Sequence, residues 1–362
     1  MSSYTRIPSL DGLRAVSILL VLIGHAYGHY FKAYIDLANL GVRMFFVISA
    51  YLIVGILYQD VQKNRFSIKW FYFKRLMRTF PAFYTYLAVI LILLVGVGFF
   101  ELNQFWRAPL FLENYHPRYL WKYQQWFVGH SWSLAVEEQF YILIAFLFYF
   151  YNKSKISKNG LILILFACMI IAPMVRSSYM IIGGIPKILT GSIHRSFETV
   201  VDSLAIGGLL ALVSSKTIGE YKWVGFFKHK NGYLFLIIIA IQFLNSSFVR
   251  ELFGLKIRFV YNLFGLSIIN VLLAVIVFNS INFTRRTMYV HLLNSRVVVF
   301  IGMLSYSIYL WQQVWLYKWD FPIYCKGIGI LGSSLVSYYL IENKFMKWRN
   351  QILVKTNRNK KA

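Results

Sequence analysis

The sequence predicts an all-α, polytopic membrane helical bundle of about ten transmembrane helices with both termini cytoplasmic. Three observations carry this. Hydrophobic residues make up 58% of the 362-residue chain and charged residues only 14%, too little charge to clothe a soluble protein of this length. The apolar residues fall in blocks of about twenty, the length that crosses a hydrocarbon core of ~30 Å. Finally, the 38 Lys and Arg concentrate between alternate blocks, as the positive-inside rule requires.

The expected spans are 10–30, 39–58, 80–100, 131–151, 160–178, 197–215, 232–249, 259–279, 297–317 and 322–341. An even number puts both termini on one side. Assigning that side to the cytoplasm places Lys63, Arg65, Lys69, Lys74, Arg75, Arg78, Lys153, Lys155, Lys158, Lys216, Lys222, Lys228, Lys230, Arg285 and Arg286 inside. The formal charge of +25 is therefore topology, and no nucleic-acid partner is expected. The expected location is the cell inner (cytoplasmic) membrane, multi-pass, with the lipid bilayer as surroundings. Residues 1–345 read as one integral membrane domain and 346–362 as a basic cytoplasmic tail ending in the solvated, disordered "KTNRNKKA". Cys168 and Cys325 lie in apolar runs and read as packing residues.

A charged side chain at bilayer depth costs ~2.5–3.5 kcal/mol, so such groups face a partner or a wet cavity. Asp11, Arg14, His25, Arg43, Glu137, Glu138, Glu198 and Asp202 are the candidates. In "DGLRAVSILLVLIGH", eleven residues separate Arg14 from His25, which stacks them on one helix face about 16 Å apart. Asp11 joins that stripe three residues before Arg14, and Ile18 and Val21 continue it as an apolar track. On spacing alone, a structural Asp11–Arg14 ion pair with His25 as a packing residue is the preferred reading. His29 gives an i, i+4 His pair, but no acidic or Cys cluster accompanies it, so no metal is expected.

Four further stretches are polar enough to matter. In "GHSWSLAVEEQFYIL", Glu137 and Glu138 point about 100° apart, so one must face the bundle interior. There it suits an imidazole, though acids also simply favour helix starts. In "KWFYFKRLMRTFPAFY", Arg75 and Arg78 form a fork suited to phosphates, or supply the positive-inside charge of an interfacial helix. In "GVRMFFVISAYLIVGIL", Gly41, Ser49, Ala50 and Gly55 permit close helix approach. In "SYSIYLWQQVW", Trp311, Gln312 and Gln313 suit a sugar site or, equally, an aromatic belt.

Together these stretches resemble the acyltransferase family 3 membrane proteins, which include O-acetyltransferases of bacterial surface glycans. The resemblance covers nearly the whole chain. Its marks, in order, are Arg14-x10-His25, "GVRMFFVISAYLI", the Arg-x-x-Arg of "KRLMRTFPAFY", "WSLAVEEQFYIL", "VVDSLAIGGLLA" around Asp202, and "YSIYLWQQ". Some positions depart from the family pattern. Ala50 replaces a frequent Gly, Ala135 a Ser, Val200 an Arg shortly before Asp202, Gln312 a His, and Val314 a Pro. Gln312 removes a second titratable group.

The resemblance implies acyl transfer from a cytoplasmic acyl-CoA, acetyl-CoA above all, to a hydroxyl of a cell-surface glycan. Lipopolysaccharide O-antigen or an exopolysaccharide, possibly lipid-linked in form, would be that acceptor. On this reading Arg14, Arg75 and Arg78 bind the phosphorylated end of the donor. His25 is general base or acyl carrier, supported by Glu137 or Glu138, and Trp132, Asp202, Tyr306, Trp311 and Gln312 line the acceptor side. Acceptor contacts would otherwise come from the loops at 101–130 and 176–196, with Trp106, Trp121 and Trp126. Two other classes compete: a proton-coupled transporter or flippase of a glycan or lipid precursor, and a lipid-linked glycosyltransferase. The first would be favoured by inverted repeats and the second by an acidic metal cluster or large outer loops, none of which is evident.

Overall fold

The structure, a computed structural model, describes residues 7–31, 33–117, 120–181, 193–213, 226–228, 230–282, 288–317 and 320–359, and among these it is helical with no strand. Helix α1 (Pro8–Ala26) opens on a proline, whose fixed φ suits a first turn and whose missing N–H is no loss there. Helix α2 (Leu37–Gln62) is capped by Asp36, whose Oδ1 accepts from the Asn39 amide at 3.1 Å. Helix α3 (Ile68–Gly96) is capped by Ser67 and runs unbroken through Pro81. The third span thus begins at Ile68 and not at 80. Pro81 removes one backbone bond, while Phe71, Thr79, Ala82 and Phe83 keep one buried face continuous across it.

Helices α4 (Trp132–Asn152), α5 (Lys158–Ile181) and α6 (Phe197–Leu212) follow. Every residue of α6 from Thr199 to Gly208 is buried, which makes it the central helix, packed against α2 and α5. Helices α7 (Asn231–Phe243) and α8 (Ser247–Val260) meet at a bend of 51°. The Ser246 hydroxyl caps the second, and Gly254 at φ 64° interrupts it. A π-turn at Tyr261–Gly265 leads into α9 (Leu266–Asn282). Helix α10 (Arg296–Leu316) precedes α11 (Ile323–Ser337), and a second π-turn, Tyr338–Glu342, joins that to α12 (Asn343–Asn359).

Seven of the described helices are long and apolar enough to cross a membrane, or eight if the bent pair counts as one span. This is a multi-pass membrane bundle. Of the ten expected spans, 232–249 is the bent pair, while α6 and α11 are shorter, at 16 and 15 residues. Helix α6, surrounded by protein, need not match the lipid thickness, and α11 runs on through a π-turn into α12. The tail also differs from expectation, because α12 continues as helix to Asn359 and packs against α3. The basic positions Lys216, Lys222, Arg285 and Arg286 lie outside the described residues.

Helix α1 is held between α2 and α10, and glycines set the approach. A Cβ on Gly302 of α10 would collide with the Asp11 carbonyl oxygen, and one on Gly207 of α6 with that of Val47. Both obstacles are backbone, which cannot rotate away. Gly302→Ala is therefore expected to destabilise the protein by about 1–3 kcal/mol, read as a lowered thermal unfolding midpoint. An unchanged midpoint would mean that α1 and α10 separate freely.

Candidate functional site

A cavity of about 570 Å³ opens among α1, α2, α3, α4, α10 and the start of α12. Its apolar wall is mainly α2, through Val42, Phe45, Phe46, Leu52, Ile53 and Ile56. Along α10 the lining runs from Met303 to Tyr309, and along α4 from Glu137 to Ser133. At one end stand Asp11 and Arg14 of α1, Arg78 of α3, Glu342, and Arg349 of α12. The beginning and end of the described chain therefore meet at one mouth. The expected track of Ile18 and Val21 is not part of it: both are fully buried in the core, and α2 supplies the apolar surface instead.

At the mouth three guanidiniums face two carboxylates. Glu342 is further occupied, since its Oε1 accepts from the Ser307 hydroxyl. Arg14 and Arg78 hydrogen-bond to no other described side chain, and Arg349 reaches only the carboxamide of Asn350, at 3.0 Å. Donors left open on a concave surface are what a multiply charged oxyanion needs.

Arg75 differs. It was expected to form a phosphate fork with Arg78; it lines the same cavity, and its guanidinium is also held by two carboxylates. Its Nε donates to Glu138 at 3.1 Å and its Nη2 to Glu137 at 3.3 Å. Its guanidinium also lies 3.6 Å from the centre of the Tyr141 ring. Tyr141 donates to Glu137 at 2.8 Å and meets the Ser49 hydroxyl at 2.5 Å. One guanidinium between two carboxylates ties α3 to α4 deep in the bundle. Glu137 or Glu138 was expected to support His25, and here Arg75 holds both. The physical reason is depth: Arg75, two turns into α3, faces Glu137 and Glu138 across the helix pair.

His25 is held by amides. Its Nδ1 lies 3.2 Å from Gln312 Oε1 and 3.2 Å from Gln313 Nε2. Donation to Gln312 Oε1 puts the ring proton on Nδ1 and leaves Nε2 as the basic site, whereas acceptance from Gln313 Nε2 puts the proton on Nε2. Gln312 thus does for His25 what a glutamate was expected to do. Its own Nε2 donates to the Tyr309 carbonyl at 3.3 Å, and Tyr309 lines the cavity. The Tyr309 hydroxyl meets Ser133 at 2.7 Å and donates to the His130 carbonyl at 2.8 Å. Trp126 donates to the Gln313 carbonyl at 2.8 Å, fixing this end of α10. One turn of α10 therefore separates the cavity from the amides that hold His25.

The remaining expected residues divide. Tyr306 lines the cavity and donates to the Thr79 carbonyl at 2.9 Å. Trp132 packs edge-on against Phe46, with 6.0 Å between ring centres, and is not in the lining. Trp311 packs edge-on against Tyr86 at 5.3 Å. Asp202 is wholly buried and bound to Arg176 at 2.9 Å, so its placement is that of a structural counter-ion and not of an acceptor-side group. Glu198 accepts from two phenols, Tyr115 and Tyr179, each at 3.0 Å. Burial, and then the Glu198 charge, hold the Tyr115 phenol above its usual range, so it stays a donor. The His29 side chain lies outside the described residues.

Two arginines escaped the sequence reading. Arg176 fell at the end of an expected span and looked like a boundary residue, yet it is fully buried and supplies the guanidinium beside Asp202. The absence of Arg at position 200 was the available signal, because it left Asp202 without a cation. Arg349 was counted within a solvated tail. Its spacing of three from Met346, which also lines the cavity, places both on one face of α12.

Comparisons with known proteins place the chain in a family. The family model described as "Acyltransferase domain" matches residues 7–324. A Staphylococcus aureus (strain COL) protein provisionally named an O-acetyltransferase is 27% identical over 94% of this chain and 57% of its own length. The peptidoglycan O-acetyltransferase OatA of Listeria monocytogenes (strain EGD-e) is 32% identical over 42% of this chain and 26% of its own. An uncharacterized Haemophilus influenzae protein is 32% identical over 48% of this chain and 82% of its own. The chain spans a little over half the length of the staphylococcal relatives it matches. No solved structure matches it. With the family model covering nearly all of the described bundle, the chain belongs to the acyltransferase 3 family of membrane proteins.

Proposed function

We propose that the protein is a membrane O-acyltransferase that moves an acyl group, in the first instance acetyl, from a cytoplasmic acyl-CoA to a hydroxyl of a cell-surface glycan. Lipopolysaccharide O-antigen or an exopolysaccharide would be the acceptor, and the inner membrane the location. The observation that carries the proposal is the cavity. It runs from a mouth with unengaged arginines to within one turn of the amides that hold His25. The names of the staphylococcal and listerial relatives support the reaction class.

Each part of the cavity has a task on this reading. Arg14, Arg78 and Arg349 hold the phosphates of the donor by charge-assisted hydrogen bonds. The α2 wall accepts its thin, partly apolar arm and directs the thioester toward Tyr309. His25 Nε2 takes the proton of the acceptor hydroxyl as its oxygen attacks the thioester carbonyl. The carbon–sulfur bond then breaks, and the imidazolium returns a proton to the departing thiolate. Arg75 also lines the cavity and, held by Glu137 and Glu138, braces α3 against α4. A transporter would also use a buried His and ion pairs, but it has no need of a cluster of arginines at the mouth of an apolar-walled cavity.

The donor assignment has a direct test. Arg78→Ala is expected to weaken CoA binding about 10- to 100-fold, the worth of one to two charge-assisted hydrogen bonds. Isothermal titration of CoA into the purified protein reads it. Arg349→Ala is expected to act in the same direction. Wild-type affinity in both variants would remove the mouth from donor binding.

A further inference from the structure

A second charged cluster lies on the opposite face of α2 from the cavity, and the proposed reaction makes no use of it. Arg43 of α2, Arg176 of α5, Asp202 of α6 and Asn270 of α9 are all buried, none more than 2% exposed. Arg176 is satisfied completely: it donates to the carbonyls of Asn262 and Thr199, to Asp202 Oδ2 and to the Ser267 hydroxyl. Asp202 is consumed by that pairing. Its Oδ2 accepts from Arg176 and Ser267, each at 2.9 Å, and its Oδ1 from the Ser203 amide at 3.1 Å.

Arg43 is left short. Its Nε donates to Asn39 at 2.8 Å and its Nη1 to Asn270 Oδ1 at 3.1 Å. The nearest Asp202 oxygen is 4.0 Å away, beyond hydrogen-bond reach. Its Nη2 has no partner, and neither does the Nδ2 of Asn270. Asp36, the other acid near Arg43, is exposed at the N-terminus of α2, where it caps the helix and water screens its charge. Two guanidiniums therefore share one buried carboxylate, with two donor groups left over on the side of Arg43, the more distant of the pair. Two buried cations with one buried counter-charge between them are a costly arrangement in a membrane interior. A water molecule would satisfy the donors and leave the charge.

We propose that a small monovalent inorganic anion of halide size is bound at Arg43 and Asn270, as the missing counter-ion of the Arg43–Asp202–Arg176 cluster. It accepts from Arg43 Nη2 and Asn270 Nδ2 and brings the cluster to neutrality. Burial of every member restricts the site to an ion and excludes an organic substrate. The role is structural: the ion lets α2, α5, α6 and α9 pack around two arginines.

The test is thermal unfolding of the full chain in lipid nanodiscs, in potassium chloride and potassium gluconate at matched ionic strength. Gluconate is too large for the site. Chloride is expected to raise the midpoint saturably, by roughly 2 °C or more at tenfold excess over its dissociation constant, and bromide to do the same. Equal midpoints in the two salts would overturn the proposal. Asn270→Asp places a tethered carboxylate where the anion would sit. This variant is expected to lose the chloride response and to be more stable than wild type in gluconate. If it keeps the response, or is less stable than wild type in gluconate, the cluster needs no counter-ion.

Discussion

His25→Ala is expected to abolish acyl transfer while the protein inserts, folds and binds CoA as the wild type does. The loss should be at least about 10²-fold and up to about 10⁴-fold, the range for removing a positioned general base. The reasoning is local. His25 lies beyond the cavity lining, so its loss leaves the donor site intact, and its Nδ1 contacts are to neutral amides, Gln312 and Gln313. Truncation removes the partner of two buried carboxamides, a cost of about 1–3 kcal/mol that leaves the fold in place. Kinetics of thioester consumption with an acceptor glycan, beside CoA titration of the same preparation, separates the two effects. Full transfer by His25→Ala would show that another group takes the hydroxyl proton.

Arg75→Ala is expected to fail in a different way, by losing the fold. Glu137 and Glu138 would remain in the bundle, 15% and 13% exposed, with no cation between them. Removing one member of a buried ionic group costs about 3–5 kcal/mol, enough to depress yield and unfolding midpoint together. The triple variant Arg75→Met, Glu137→Gln, Glu138→Gln should recover much of that loss, because it leaves no uncompensated charge. Detergent-solubilised yield and thermal midpoint measure both. If Arg75→Ala folds normally and loses only CoA affinity, Arg75 belongs to the donor site after all.

These two residues mark how much was legible in the sequence. The eleven-residue step from Arg14 to His25 survives intact, because an unbroken helix converts sequence spacing into geometry. So do the existence of the apolar helices and the glycine-mediated approach of α1, seen at Gly41, where a Cβ would crowd Ser17 and Val21. What sequence did not reveal is which buried charges pair across helices. Glu137 and Glu138 were as compatible with His25 as with Arg75 until α3 was seen to start at Ile68, which carries Arg75 into the bundle. The substitution of Gln312 looked like a loss of chemistry, yet its carboxamide orients the imidazole. Arg176 and Arg349 were missed for one reason: at the edge of a hydrophobic run, a cation reads as topology whether it faces water or the protein interior. Helix α6 shows the limit of hydropathy as a guide to spans: at 16 residues it is apolar because protein surrounds it.

The central claim is that a donor held at the arginine mouth delivers its acyl group at His25. It is tested most directly with radiolabelled acetyl-CoA, the protein in nanodiscs and glycan from the native cell surface, by counting alkali-labile label on the glycan. The account predicts label transfer by the wild type, none by His25→Ala at saturating donor, and transfer by Arg78→Ala that is restored by raising the donor concentration. Equal labelling by wild type and His25→Ala, or a defect in Arg78→Ala that donor cannot rescue, would contradict it.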